Sequence, residues 1–174
     1  MGSEKQSCRD GRGRTFEPLR VSVHIESCRA RTARLSNLAH AASQALHVCK
    51  QYEHDEPHLG TCVDVAQHLL DDVVRQLLDQ VHTALSPLGI VSHDIDPQTR
   101  AMEIAVGCEA QRLVLDRARN LALATIYVLK SSGIEPADDT NEVVKSLRDL
   151  EEGIRTVLDG LHPATMSLPT PTIH

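Results

Sequence analysis

An all-α protein, folded as an antiparallel bundle of about four helices, is what this sequence predicts, and three observations predict it. The 174-residue chain is 41% apolar, yet its aromatic residues are only Phe16, Tyr52 and Tyr127. Strands favour aromatic and β-branched residues, whereas the Ala and Leu that dominate here are strong helix formers. Apolar residues also recur at three- and four-residue intervals in four separate stretches. Between those stretches lie the Pro, Gly and Asp residues that start and stop helices. A chain of this length can bury a sizeable core as one domain.

Residues 1–28 read as a basic, mostly disordered arm, rich in Gly, Arg and Ser up to about residue 20. Val21-Ser22-Val23-His24-Ile25 alternates as a short strand would, but no second stretch offers it a partner, so it joins the arm. The bundle domain spans 29–161. Its first helix is expected over 29–53, where Leu35, Leu38, Ala42, Ala45, Cys49 and Tyr52 form a two-per-heptad seam. Asp55-Glu56-Pro57 and Gly60 end it. The second helix is expected over 62–86, with Thr61 as N-cap and Asp64 three residues on. Ala66, Leu69, Leu70, Val73, Leu77, Val81 and Ala84 give it a broad apolar face. Asp64, His68, Asp71, Arg75, Asp79 and His82 give it a charged face, read as solvated. The fourth helix starts at Asp139, with Glu142 at the third position, and runs to 161, where Gly160 and Pro163 stop it. Residues 162–174 form a short tail containing prolines.

The third helix is the most informative. Asp96 caps it, Pro97 occupies its first position, and Ser131-Ser132-Gly133 closes it. Its first half is amphipathic. Its second half, Leu121 to Leu129, has no polar face, so its own chain or another must enclose it. Gly107 lies inside and marks the place where the helix either continues or breaks. If continuous, the helix is about 52 Å long against about 33–38 Å for its neighbours. Its apolar end then outruns them. The expected interface is Leu121, Leu123, Ala124, Ile126, Tyr127 and Val128, covered by a protein partner or by a second copy in a two-fold dimer.

The net charge of −6 is unevenly spread. Residues 1–36 hold eight Lys/Arg against four Asp/Glu, giving +4; the rest holds ten against twenty, giving −10. A nucleic-acid-associated role for residues 1–34 is the alternative this arm suggests. An acidic body would repel a duplex, and the aromatic platform for single strands is missing. The five cysteines are odd in number and widely spaced, without CxxC, which suits free thiols in a reducing compartment. No secretory signal, myristoylation pattern or stretch of membrane-spanning length stands out. The expected location is intracellular and cytoplasmic, or nuclear for a eukaryotic regulator.

His40, His47 and His54 are seven apart on one helix, about 10.5 Å per step, too far to share a metal. His54, His58 and Cys62 are spaced by fours around a loop and are the ligand set that could converge. They lack the tight signatures of zinc sites, so no metal is expected, with a small metal-binding or His-dependent protein as a further alternative. Arg34-Leu35-Ser36-Asn37-Leu38-Ala39-His40 resembles the segment around the phosphorylated histidine of sensor kinases. That resemblance implies a phosphotransfer role for His40. The family follows its histidine with an acidic residue and Arg-Thr-Pro, where Ala41, Ala42 and Ser43 stand here. Nucleophile-elbow, P-loop and dinucleotide motifs are absent. The expectation is a non-catalytic helical interaction or regulatory module without a cofactor, self-associating through the third helix.

Overall fold

The computed structural model describes residues 8–9, 15–50 and 57–165, with side chains over 17–48 and 60–161. A two-residue antiparallel pairing joins β1 (Cys8–Arg9) to β2 (Thr15–Phe16), with Cys8 opposite Phe16. Everything that follows is helical or connects helices.

Helix α1 is Pro18–Lys50, so residues 18–28, read from sequence as arm, belong to the bundle. The reason lies in the spacing. Val21, Ile25, Cys28, Thr32, Leu35, Ala39, Ala42 and Leu46 are all buried, an unbroken alternation of four- and three-residue steps. The local alternation of Val21 and Val23 hid it: Val21 faces the core and Val23 faces solvent. The seam also pairs Leu35 with Ala39 and Ala42 with Leu46, while Leu38 and Ala45 are only half-buried. The side chains of Cys49 and Tyr52 lie outside the described residues.

The second rod combines α2 (Pro57–Gln67), a π-helical stretch over His68–Arg75, and α3 (Gln76–Leu85). It starts before the expected Thr61 cap, with Pro57 at its first position. Ala66, Leu70, Val74 and Leu78 are fully buried. Three four-residue steps on an α-helix would rotate the face by about 120°. The wider i→i+5 turns absorb that drift and keep all four against the core. A single 3₁₀ turn, Pro87–Gly89, follows.

Helix α4 is Pro97–Ser131. The Asp96 carboxylate accepts from the Thr99 backbone N–H at 2.9 Å. At the other end Gly133 has φ +76°, Gly133 N donates to Lys130 O and Ile134 N to Leu129 O. Those two bonds are the paired closure that favours glycine. Gly107 does not break the helix. A Cβ there would lie 2.7 Å from Leu88 Cδ1, so the glycine is a notch into which the 3₁₀ turn drops its leucine. Helix α5 is Asp138–Thr165 and runs past Gly160, because Val157 and Leu161 on either side still pack in the core.

Helices that are neighbours in sequence are neighbours in space, and α5 closes the ring against α1. His40 meets Asp71 and Ser36 meets Asp79, whereas Arg29 meets His82, so α1 and the second rod are antiparallel. The large core cluster runs from Val21 to Leu161 through all four rods; a smaller one gathers Ala42, Leu46, Val63, Ala66, Leu70 and Leu129. The expected overhang of α4 is absent on the α1 side, since α1 has 33 residues against 35 for α4.

Candidate interaction surface

The expected interface splits in two. Leu123 and Tyr127 are exposed, while Leu121, Ala124, Ile126 and Val128 are half-buried beside them. Ala122, Thr125 and Leu129 face inward, and the Thr125 hydroxyl is satisfied by donating to Leu121 O at 3.1 Å. Leu129 packs in the smaller core cluster with residues of α1 and α2. The apolar half of α4 is therefore enclosed on its inner side by its own chain, and only a narrow outer strip is open.

That strip extends further than the sequence suggested. Met102, Val106, Leu113, Leu123 and Tyr127 are exposed by 46%, 65%, 59%, 46% and 75%. With Glu109, Asp116 and Asn120 they fill one continuous series of four- and three-residue steps along the outside of α4. The strip is about 38 Å long at 1.5 Å per residue. Met102, Val106 and Leu113 were missed because charged residues surround them in a stretch that reads as amphipathic. The signal was the heptad spacing carried back from Tyr127 and Leu123.

The strip's own charges are held by arginines of the same chain. Arg112 Nη2 lies 2.7 Å from Glu109 Oε1, and that hydrogen bond keeps the Glu109 carboxyl below its ordinary range. Arg119 pairs with Asp116. Both arginines reach on to Glu151 of α5, Arg119 Nη1 at 3.1 Å and Arg112 Nη1 at 3.8 Å. Arg155 approaches the same carboxylate at 3.8 Å. Glu151 is a mostly buried acid that fastens α4 to α5 and fixes the flank of the strip.

The other candidate residues have different settings. His40 Nδ1 donates to Asp71 Oδ1 at 3.0 Å, and Arg75 Nε donates to the same oxygen at 2.9 Å. The hydrogen bond from His40, joined by Arg75, holds the Asp71 carboxyl below its ordinary range against the opposing effect of burial. Ser36 Oγ donates to Asp79 Oδ1 at 2.9 Å, and His82 Nδ1 bonds Arg29 O at 3.2 Å. Part of the charged face of the second rod, read as solvated, is thus a polar seam against α1. His68 Nδ1 donates to Asp72 Oδ2 at 2.9 Å within the rod.

His54 and the side chain of His58 lie outside the described residues, and Cys62 is half-buried. Among the described residues no group of three His, Cys, Asp or Glu is placed to hold a metal ion. Arg29 of the basic segment pairs with Glu26 at 2.6 Å. Arg31 and Arg34 line a groove with Glu142 and Asp149 of α5. Cys28 and Cys108 are buried. Burial, with a smaller contribution from Cys28, pushes the Cys108 thiol up to about 12, so it behaves as a small hydrophobe. No helix among the described residues is long and apolar enough to cross a membrane. Comparison with protein-family models, curated proteins and solved structures finds no match to this chain.

Proposed function

We propose that this protein is a helical interaction module that self-associates through the outer strip of α4 and acts by protein–protein contact rather than by catalysis. The observation that carries the reading is the run of five large, exposed apolar side chains at heptad spacing on one helix. Scattered single apolar residues on a surface are ordinary; five aligned on one face of one helix, interrupted by Glu109, Asp116 and Asn120, point to an interface.

A second copy is the occupant that the strip itself suggests. In an antiparallel pair with its two-fold axis between residues 114 and 115, Met102 meets Tyr127, Val106 meets Leu123 and Glu109 meets Asn120 of the other copy. The large apolar layers then fall at both ends, and nearest the axis Leu113 meets Asp116 of the other copy. Glu109 and Asp116 are already neutralised by Arg112 and Arg119, which lowers the cost of covering them. Burying five partly exposed side chains per copy at about 1 kcal/mol each offsets several kcal/mol of lost freedom. A weak dimer, of about tens of micromolar or above, is the result.

Sedimentation equilibrium tests this. The wild type is expected to approach twice the 19.1 kDa chain mass as concentration rises. The Leu123→Asp/Tyr127→Asp variant is expected to stay monomeric with an unchanged far-UV circular dichroism spectrum. A wild type that sediments as a monomer up to its solubility limit refutes the reading.

A further inference from the structure

At one end of the bundle the first turns of α1, the connector between α3 and α4, and the first turns of α4 converge on a cavity of about 550 Å³. Its walls are mostly apolar, built from Leu19, Leu88, Ile90, Val91, Ile95 and Ile104, with His93 and Arg100 among its polar groups. Leu19 is 72% and Ile90 66% exposed, and Val91 and Ile95 are exposed beside them. Four large apolar residues left open around one concavity differ from apolar residues scattered over a surface.

The concavity is fastened in shape. Arg100 Nη2 donates to three connector carbonyls, Pro87 O at 3.0 Å, Leu88 O at 3.1 Å and Ile90 O at 2.7 Å. Ser22 of α1 donates to Gly89 O from the other side. The backbone that presents Ile90 and Val91 is tied to α1 and to α4, so the apolar wall exists before any ligand arrives. Pre-formed apolar pockets of about 300–1,000 Å³ with a few placed polar groups are the usual small-molecule sites. Arg100 also gives the wall a polar side. Its Nη1 donates to Glu103 Oε2 at 3.2 Å, so its charge is paired within the chain.

We infer that this cavity binds a single aliphatic chain carrying an oxygen-bearing head, of the class of medium-chain alcohols and fatty acids. The tail packs among Ile90, Val91, Ile95 and Leu19, and the head lies on the side of Arg100 and His93. Three elements bound the concavity on different sides, which suits a small flexible chain better than a helix or strand, either of which needs a long groove. None of the residues that line the site belongs to the outer strip of α4, so the two surfaces can be altered separately.

Titration of the full chain with decanol and with decanoate, below their aggregation concentrations, tests the assignment by calorimetry and by amide NMR shifts. One saturable site per chain is expected, with the largest shifts at residues 88–95. Ile95→Asp and Val91→Asp, both at exposed positions, are expected to weaken binding by about ten-fold or more. Leu113→Asp, on the outer strip of α4, is expected to leave it unchanged. Repeating the titration on Leu123→Asp/Tyr127→Asp separates the result from any dimer. No saturable binding of either ligand overturns the proposal. So does binding that survives Ile95→Asp and Val91→Asp, or that is lost in Leu113→Asp.

Discussion

Replacing Gly107 by alanine puts two known effects in opposition at one atom. In a helix interior alanine is favoured over glycine by about 1 kcal/mol. Against that, the new Cβ would stand 2.7 Å from Leu88 Cδ1, 3.2 Å from Cδ2 and 3.5 Å from Cγ. Comfortable carbon–carbon contact is about 3.5–4.0 Å, so the whole head of Leu88 must retreat from the notch. Overpacking of this kind costs about 1–3 kcal/mol, and Leu88 is half-buried, which places the cost near the lower end. Gly107→Ala is therefore expected to be neutral to about 1 kcal/mol destabilising. With Leu88→Ala already in place the obstruction is gone, and Gly107→Ala is expected to stabilise by about 1 kcal/mol. Urea denaturation of the four proteins in this cycle reads the sign directly, and each kcal/mol also moves the melting temperature by about 2–4 °C. An equal stabilisation by Gly107→Ala in both backgrounds would show that Leu88 does not fill the notch. Equal destabilisation in both would show that the glycine serves the backbone instead.

Asp71 titrates below its ordinary value in the folded protein, so its contribution is present at neutral pH and lost as pH falls through the folded-state value. The stability difference between wild type and Asp71→Asn, followed by urea denaturation from neutral to acid pH, is expected to shrink below the ordinary carboxylate range; a constant difference counts against the His40 contact. Glu151→Ala leaves Arg112, Arg119 and Arg155 without their shared carboxylate, though each keeps a carboxylate on its own helix, and is expected to cost about 1–2 kcal/mol; a loss below about 0.5 kcal/mol, the scale of an exposed pair, would show that the cluster is solvated. Gly133→Ala forces a side chain onto a backbone with φ +76° and is expected to cost about 1–2 kcal/mol, read from the thermal midpoint, with no loss expected if another geometry closes α4.

The parts of the fold written in local chemistry were legible. Asp96, Pro97 and Gly133 bound α4 within a residue of where it starts and stops, because a cap is a contact between residues three or four apart. The start of α1 was not legible, since Val21 and Val23 satisfy a strand's period as well as a helix's. Only the far partners of Ile25 and Cys28 decide between them. The π-helical stretch was also invisible: nothing in its residues asks for wide turns, and the demand comes from matching core faces along the rod. For the same reason Gly107 read as a weak point, whereas its meaning depends on Leu88, nineteen positions away in the sequence. Of the interaction strip, only Leu123 and Tyr127 could be picked out, because the remainder needed knowledge of which side of α4 is left uncovered. The cavity beside Arg100 required three separate elements to be placed first.

Among the described residues the two core clusters are unequal, and a local opening at the smaller one would show as a gradient of motion along α4. The larger cluster holds Ile104, Cys108 and Leu115 among many leucines and isoleucines, while the smaller holds Leu129 with two alanines, a valine and two leucines. A local opening at that end would cost less than opening the whole domain. Amide protons from about 121 to 130 would then exchange with solvent sooner than those from 104 to 118, although both belong to one unbroken helix. Tyr127, the most exposed large apolar residue described, stands on that stretch, so a partner that settles on it would slow the exchange of its turn most of all.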